Sequence, residues 1–499
     1  MLENHQIHII FFLGIGGIGM SALARYYNGR NAKGEGMKVR VCGYDRTPSA
    51  LTHELEQEGI QITYTDDPAI LREWGLQPEH TMVVRTPAVP ADSAIYTWLR
   101  GEGFAIRKRS EVLGDITRSM HALCVAGTHG KTTTSTMLAH LLHDEVTAFL
   151  GGISMNYGVN YWSNPQSRYA VVEADEYDRS FHRLTPFVSV ITAVDPDHLD
   201  IYGTEQAYRE AFEQYTSLIT GALVMKHGLP ITPRLKEGVK LYTYGVVERQ
   251  KSKVESGHPD FYAENIRVGE GTIVFDFHTP DGVVSDIRLG VPVWVNIENA
   301  VAAMAVVWVI KNSESGIPND ELATHLREAM ASFRGVQRRF NIHVHTDRVV
   351  YIDDYAHHPD EIATSIDSVR RLYPNRKLVG VFQPHLYTRT RDFAEGFARV
   401  LSTLDECILL PIYPARELPI EGVTSEMLRE KIKAKGESIK VNGERRKDES
   451  GEPVVVEKAD LVNYIQGLMA NEQRAIVLMT IGAGDIDRLV PAITEVLTD

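Results

Sequence analysis

The sequence predicts a soluble α/β chain of three domains, each built around a mainly parallel sheet. Three observations carry that expectation. The chain has 499 residues, which at ~150 residues per domain is about three domains. Short apolar runs alternate with helical stretches along most of its length, the pattern of a parallel sheet covered by helices. Two of those runs, beginning near residues 8 and 122, pass straight into glycine-rich loops that open helices. The second glycine loop and the segment Phe333–Phe340 set the boundaries, giving domains 1–119, 120–335 and 336–499.

The first segment opens with the strand His8–Leu13, followed by a glycine loop, a helix from Met20 to Tyr27, a Gly-rich connector and a second strand, Val39–Asp45. Alternation continues to about Thr117. The second segment starts with the apolar strand Ala122–Ala126 and a helix over Thr132–Leu142. Ala170–Glu173 and Val188–Thr192 are short apolar runs of buried-strand type. From about 240 to 293 the chain reads as β-hairpins, with turns at Gly269-Glu270-Gly271 and Pro280-Asp281-Gly282. Asn299–Ile310 is apolar nearly all round and is expected to be a buried helix. In the third segment, strands at Val349–Asp353, Leu378–Phe382, Glu406–Leu410 and Ala475–Met479 again alternate with helices. Gly443–Glu452 is almost wholly polar and reads as a solvated loop.

Composition narrows the classes of partner. Lys plus Arg is 52 and Asp plus Glu 66, a net charge of −14. That balance argues against nucleic acid or an anionic membrane as the main partner, but not against a small anion held at a local site. Cys42, Cys124 and Cys407 form no CxxC, so a reducing, cytoplasmic setting is expected. No run reaches the ~18 apolar residues of a membrane span. Oligomeric state, monomer or dimer, stays open.

Gly14-Ile15-Gly16-Gly17-Ile18-Gly19 fits G-x-G-x-x-G between a strand and a helix. Gly14, Gly16, Gly17 and Gly19 allow backbone amides to approach a diphosphate, and the helix N-terminus adds favourable partial charge. Asp45, ending the second strand, is placed for a ribose hydroxyl. NAD, FAD and other diphosphate ligands all fit, and a tight turn with no ligand is the bland alternative.

Gly127-Thr128-His129-Gly130-Lys131-Thr132-Thr133 follows a strand and opens a helix. It resembles a P-loop, in which amides cradle phosphates, Lys131 reaches the terminal ones and Thr132 can hold Mg²⁺. It is shorter than G-x-x-x-x-G-K-[ST], since the position five before Gly130 is Val125. Glu173 ends an apolar strand, where an unpaired carboxylate is costly, so a cation partner is expected. Asn296 and Asn299 share a helix face if the helix begins by Asn296; their amides can both donate and accept, as an adenine edge requires, or serve as a cap and a surface residue. A dehydrogenase needs the first loop alone, and a simple kinase the second alone. Both together suit phosphoryl transfer to a ligand that itself carries a diphosphate.

The combination resembles the Mur ligases, the ATP-dependent amino-acid ligases of peptidoglycan precursor synthesis. GTHGKTTT is their form of P-loop. VVEADEYDRSF around Glu173, DPDHLD at 195–200, NIENA at 296–300, FRGVQRRF at 333–340, DDYAHHP at 353–359 and FQPHLYTRTRD at 382–392 follow in family order. The opening run HIIFFLGIGGIGMSALA is most like the member that adds L-alanine to UDP-N-acetylmuramate. The resemblance implies a Rossmann-like N-terminal domain for the UDP-sugar, a central P-loop ATPase α/β domain and a C-terminal Rossmann-like α/β domain for the amino acid. It implies phosphorylation of the lactyl carboxylate by ATP, then attack of the alanine amine on the acyl phosphate, with ADP and phosphate as by-products.

The resemblance also implies roles. Thr132, Glu173 and His198 would hold Mg²⁺ (or Mn²⁺), although His198 read alone is better taken as a capping or core histidine. Arg339 would reach the ATP phosphates and Asp354 the nucleotide sugar, although the pair Arg338-Arg339 read alone is a solvated charge pair. Tyr355, His357 and Arg389 would form the amino-acid pocket, with Arg389 pairing with the alanine carboxylate; His358 competes with His357 for that place. Arg109 resembles a UDP-sugar contact. Leu386 is a departure, since relatives often carry Arg there. The alternatives are a related ligase adding another amino acid or a murein peptide, a nucleotide-binding regulator without turnover, and a dehydrogenase, which would have no need of Lys131.

Overall fold

The computed structural model describes residues 7–32, 39–197, 199–247, 258–313, 319–415, 417–438 and 451–498. They form three sheets and divide into two compact units. The first comprises Met1–Asn265, Asp276–Ile287 and Glu298–Arg334, and the second Ile266–Phe275, Arg288–Ile297 and Gly335–Asp499.

The N-terminal sheet has five strands in the order Gln61–Thr63, Arg40–Tyr44, Ile9–Leu13, Thr81–Arg85, Ala105–Lys108, all parallel. Ile9–Leu13 is central. Its residues Ile10 to Leu13 are fully buried, as a strand covered on both faces must be. Strand order reverses beside it, between Ile9–Leu13 and Thr81–Arg85, and the first glycine loop leaves from that point into the helix Ile18–Ala32. A reversal of this kind is where doubly wound sheets open a ligand crevice.

The central sheet has ten strands. His121–Ala126 lies between Pro186–Ile191 and Tyr169–Ala174, parallel to both, and delivers the second glycine loop to the helix Lys131–Leu141. In the stretch 240–293 expected as hairpins, Phe261–Gly269, Thr272–Thr279 and Gly282–Arg288 follow one another in the sheet, whereas Lys240–Val246 is no hairpin strand, since it pairs parallel to Ala222–Lys226 and to Phe261–Gly269. The expected apolar helix runs Val295–Ser313, with Ala300 to Val307 buried.

The N-terminal sheet and most of the central sheet share one unit, and side chains knit them together. Their apolar residues run into a single core, from Ile10 and Leu23 to Ala122, Phe149 and Tyr215. Arg25, 6% exposed, pairs with Glu54 and Glu58 at 2.8 Å each and donates to Asn160 Oδ1 at 2.7 Å. Asn160 Nδ2 in turn donates to the Ile18 carbonyl at 2.6 Å and to Ser21 Oγ at 3.1 Å. A buried guanidinium is tolerated only with such a full set of partners.

The third sheet, in the second unit, has the order Asn341–His345, Val349–Asp354, Ile476–Ile481, Lys377–Phe382, Glu406–Leu409, Val454–Val455. Only its edge strand Asn341–His345 is antiparallel. Among the described residues no helix is long and apolar enough to cross a membrane. The expected charged loop lies almost wholly outside the described residues, as does His198.

Candidate active site

The second glycine loop is held from below by its own sheet. Gly127 has φ +136°, and a Cβ there would meet the Thr192 hydroxyl at 2.1 Å and the Ala193 amide nitrogen at 2.8 Å, so only glycine passes. Thr128 Oγ1 donates to the Asp195 carbonyl at 2.8 Å and lies 3.0 Å from the Tyr208 hydroxyl. The Thr192 hydroxyl donates to the His129 carbonyl. Thr134 donates to Asn299 Oδ1 at 3.1 Å, which puts Asn299 against Gly130. Asn296, also on the helix Val295–Ser313, donates from Nδ2 to the Val291 carbonyl at 3.2 Å. His129 is exposed and Thr133 half-buried.

Lys131 Nζ donates to the Gly127 carbonyl at 2.6 Å and to Glu176 Oε1 at 2.9 Å. Glu176 is 2% exposed. Burial pushes its carboxyl above the ordinary carboxylate range while Lys131 pulls the other way. Sequence reading passed over Glu176; its only signal was a third carboxylate, after Glu173 and Asp175, just past the same apolar run.

Thr132 Oγ1 lies 3.0 and 3.1 Å from the two oxygens of Glu173. Gly151 backs that carboxylate so closely that a Cβ would sit 1.9 Å from Oε2. A hydroxyl and a carboxylate side by side are hard oxygen donors, the kind Mg²⁺ takes together with water and phosphate. The donor set therefore fits the expected cation. Among the described residues no group of three or more His, Cys, Asp or Glu is arranged to hold a metal, and the third expected ligand, His198, lies outside them.

In the first glycine loop the Gly16 amide donates to Asp45 Oδ2 at 2.8 Å. The carboxylate expected to meet a ribose thus also fastens the loop. Gly14 donates to the Tyr44 carbonyl at 2.8 Å, and Gly17 is exposed. Arg109 lies against Gly19, where a Cβ would meet Nη1 at 2.5 Å, and pairs with Asp175 at 3.2 Å. The expected UDP-sugar contact thereby joins the first loop to the segment that follows Glu173.

The second unit gathers Asp354, Tyr355, His357 and Arg389. Of the paired arginines, Arg338 is the anchored one. It donates to the Gly482 carbonyl at 2.8 Å, lies 3.4 Å from Asp487 and sits over the Tyr355 ring at 4.9 Å. Arg339 is exposed, and its charge acts on Asp354, His357 and Glu361. The two histidines separate by role. His358 caps the helix Pro359–Leu372, its ring accepting from the Asp360 amide at 3.4 Å. His357 Nδ1 lies 3.0 Å from the Tyr355 carbonyl and 3.5 Å from Glu361. Burial holds the His357 ring below the usual histidine range, with Glu361 opposing and Arg389 assisting. Arg389 lies 3.4 Å from His385 Nδ1 and within 4.0 Å of no carboxylate among the described residues. Burial, then Arg389, pushes His385 down to about 4. Leu386 adopts φ +69°.

Asp354 is 8% exposed, receives the Ser365 hydroxyl and lies 3.4 Å from the Ala356 amide. Burial pushes its carboxyl up to about 6, against the pull of Ser365 and Arg339. A carboxyl whose folded pKa is raised stabilises the fold at low pH and loses that contribution as pH rises through the folded value. Two pKa units are on the order of 3 kcal/mol. Asp354→Asn is therefore expected to raise Tm at pH 7.5 and to leave it nearly unchanged at pH 4, read by thermal unfolding at both pH values.

Three family models match successive parts of the chain: the Mur ligase family catalytic domain over residues 9–121, the Mur ligase middle domain over 125–307 and the Mur ligase glutamate ligase domain over 338–480. The UDP-N-acetylmuramate–L-alanine ligase of Parabacteroides distasonis is 50% identical over 501 residues, spanning 99% of this chain and 98% of its own. That of Phocaeicola vulgatus is also 50% identical, spanning 99% of both. Among solved structures, the UDP-N-acetylmuramate–alanine ligase MurC of Thermotoga maritima superposes with a TM-score of 0.74 at 27% identity, over 98% of this chain and 99% of that one. A murein peptide ligase of Psychrobacter arcticus shares the fold, with a TM-score of 0.60 at 21% identity over 98% and 99% of the two chains.

Proposed function

The chain belongs to the Mur ligase family, and we infer from that premise that it joins L-alanine to the lactyl carboxylate of UDP-N-acetylmuramate in peptidoglycan precursor synthesis, with ATP as co-substrate. The observation that carries this reading is full-length likeness, at 50% identity, to ligases of that one specificity. Two nucleotide loops on one chain give it chemical sense, since one nucleotide is substrate and the other energises it.

A free carboxylate resists amines because its carbonyl carbon is electron-rich and it has no leaving group. In the first step a lactyl oxygen attacks the γ-phosphorus and ADP departs. In the second, the alanine amine attacks the acyl phosphate carbonyl and phosphate departs, carrying the lactyl oxygen. The protein's share is positioning and charge neutralisation. Lys131 faces the β/γ-phosphates and Arg339 adds charge there. Thr132 and Glu173, with His198, would hold Mg²⁺, which supplies further neutralisation of the phosphates. Asn296 and Asn299 take the adenine and Asp354 the nucleotide sugar. The first loop and Arg109 bind the UDP-sugar. Arg389 receives the alanine carboxylate against Tyr355. His357, whose ring burial holds below the usual histidine range, accepts the proton that the ammonium must lose before it can attack.

The proposed setting is the cytoplasm, in keeping with three buried free cysteines. Product formation with glycine, L-alanine and L-serine, followed by mass, tests the assignment. Alanine should exceed glycine by roughly 10–200-fold, the worth of one methyl group. Sustained release of ADP and phosphate should require UDP-N-acetylmuramate and an amino acid together. Nucleotide binding without turnover would instead favour a regulator.

A further inference from the structure

The group proposed for the ATP phosphates already has partners. The Lys131 ammonium has three N–H donors. They reach the Gly127 carbonyl at 2.6 Å, the Thr128 carbonyl at 3.3 Å and Glu176, whose Oε1 and Oε2 lie 2.9 and 2.8 Å away. The first two acceptors belong to the loop itself. The third is a carboxylate 2% exposed, brought in by a turn in which Asp178 and Arg179 adopt φ +51° and +54°. Tyr202 donates to the Glu176 backbone carbonyl and so fixes the turn. Among the described residues Oε2 has no partner beyond the ammonium.

A buried carboxylate with a single counter-ion is costly to leave alone. A phosphate arriving at Lys131 has to share that ammonium with a like charge less than 3 Å away from it, or displace the charge altogether. Removing the carboxylate removes the competition but keeps the two loop carbonyls that aim the lysine.

We propose that Glu176 is a positioning residue that acts through Lys131: an internal counter-ion the nucleotide phosphates must displace, which weakens nucleotide binding and speeds departure of ADP. The proposal rests on Lys131 being the phosphate contact. In this reading Glu176 acts on the nucleotide only through the Lys131 ammonium.

The test is equilibrium binding of MgADP to the full-length protein, together with steady-state kinetics in ATP. Glu176→Gln is expected to bind MgADP about tenfold more tightly, as relief of a close like-charge contact allows. Its KM for ATP and its kcat should fall together, because ADP leaves more slowly. Glu176→Asp sets the carboxylate back by one methylene and should lie between wild type and Gln, with a tighter Kd than wild type; it decides the matter if the Gln variant does not fold. A merely structural pair would give weaker binding, or lower kcat at unchanged KM. MgADP affinity equal to or weaker than wild type in the folded variants overturns the proposal. A wild-type protein that does not bind MgADP would instead overturn the ligase reading on which it rests.

Discussion

Lys131→Ala lowers kcat/KM for ligation by at least about a thousandfold, while UDP-N-acetylmuramate binds as it does to wild type. Lys131 is the only Lys or Arg in the Gly127–Thr133 loop, and phosphoryl transfer depends almost wholly on positioning and charge neutralisation. The proposed UDP-sugar contacts lie with the other sheet, around Gly16, Gly19 and Arg109. Alanine also leaves Glu176 buried without its counter-ion, a loss of up to about 3–5 kcal/mol, so Tm should fall. The double variant Lys131→Ala/Glu176→Gln should recover Tm and not activity. Calorimetric titration with the UDP-sugar, beside a phosphate-release assay, reads both halves. Loss of sugar binding in the folded double variant would mean that the two nucleotide sites are not separate.

The second large effect is at Arg389. Its guanidinium has a histidine ring beside it and no carboxylate within 4.0 Å among the described residues, so its fork remains available for an incoming carboxylate. Arg389→Ala is expected to raise KM for L-alanine by roughly 30–1000-fold, the range for losing one partner of a desolvated charge pair, with KM for ATP moved less than threefold. Arg389→Lys keeps the charge but loses the planar fork and should recover only part of the loss. Initial rates with each substrate varied in turn give the split. Equal rises in both KM values would place Arg389 in the general electrostatics of the protein instead of in the alanine pocket.

The parts legible in the sequence were those whose chemistry is local in the chain. A glycine loop between an apolar strand and a helix needs no distant information, so both loops, Lys131 and Thr132 stood out. Glu173 was legible because a carboxylate ending a buried strand demands a cation partner, and the structure sets it beside the Thr132 hydroxyl. What was not legible depends on residues far apart. Arg25 meets Asn160 across 135 positions, and no composition shift announces that the first two sheets form one unit. Glu176 was passed over, because only the turn at Asp178-Arg179 brings it onto Lys131. Arg338 and Arg339 are identical letters; the carbonyls of Gly482 and Gly484, Asp487 and the Tyr355 ring tell them apart. His357 and His358 separate in the same way, because a cap is defined by the helix that it starts.

Both chemical steps meet at the acyl phosphate, and one oxygen reports on it. UDP-N-acetylmuramate carrying ¹⁸O in both lactyl carboxylate oxygens, turned over with ATP and L-alanine, should release phosphate with one ¹⁸O per molecule and leave the other in the amide carbonyl. Phosphate free of label, with ligation proceeding at its normal rate, would contradict an acyl phosphate and with it the proposed roles of Lys131, Glu173 and His357.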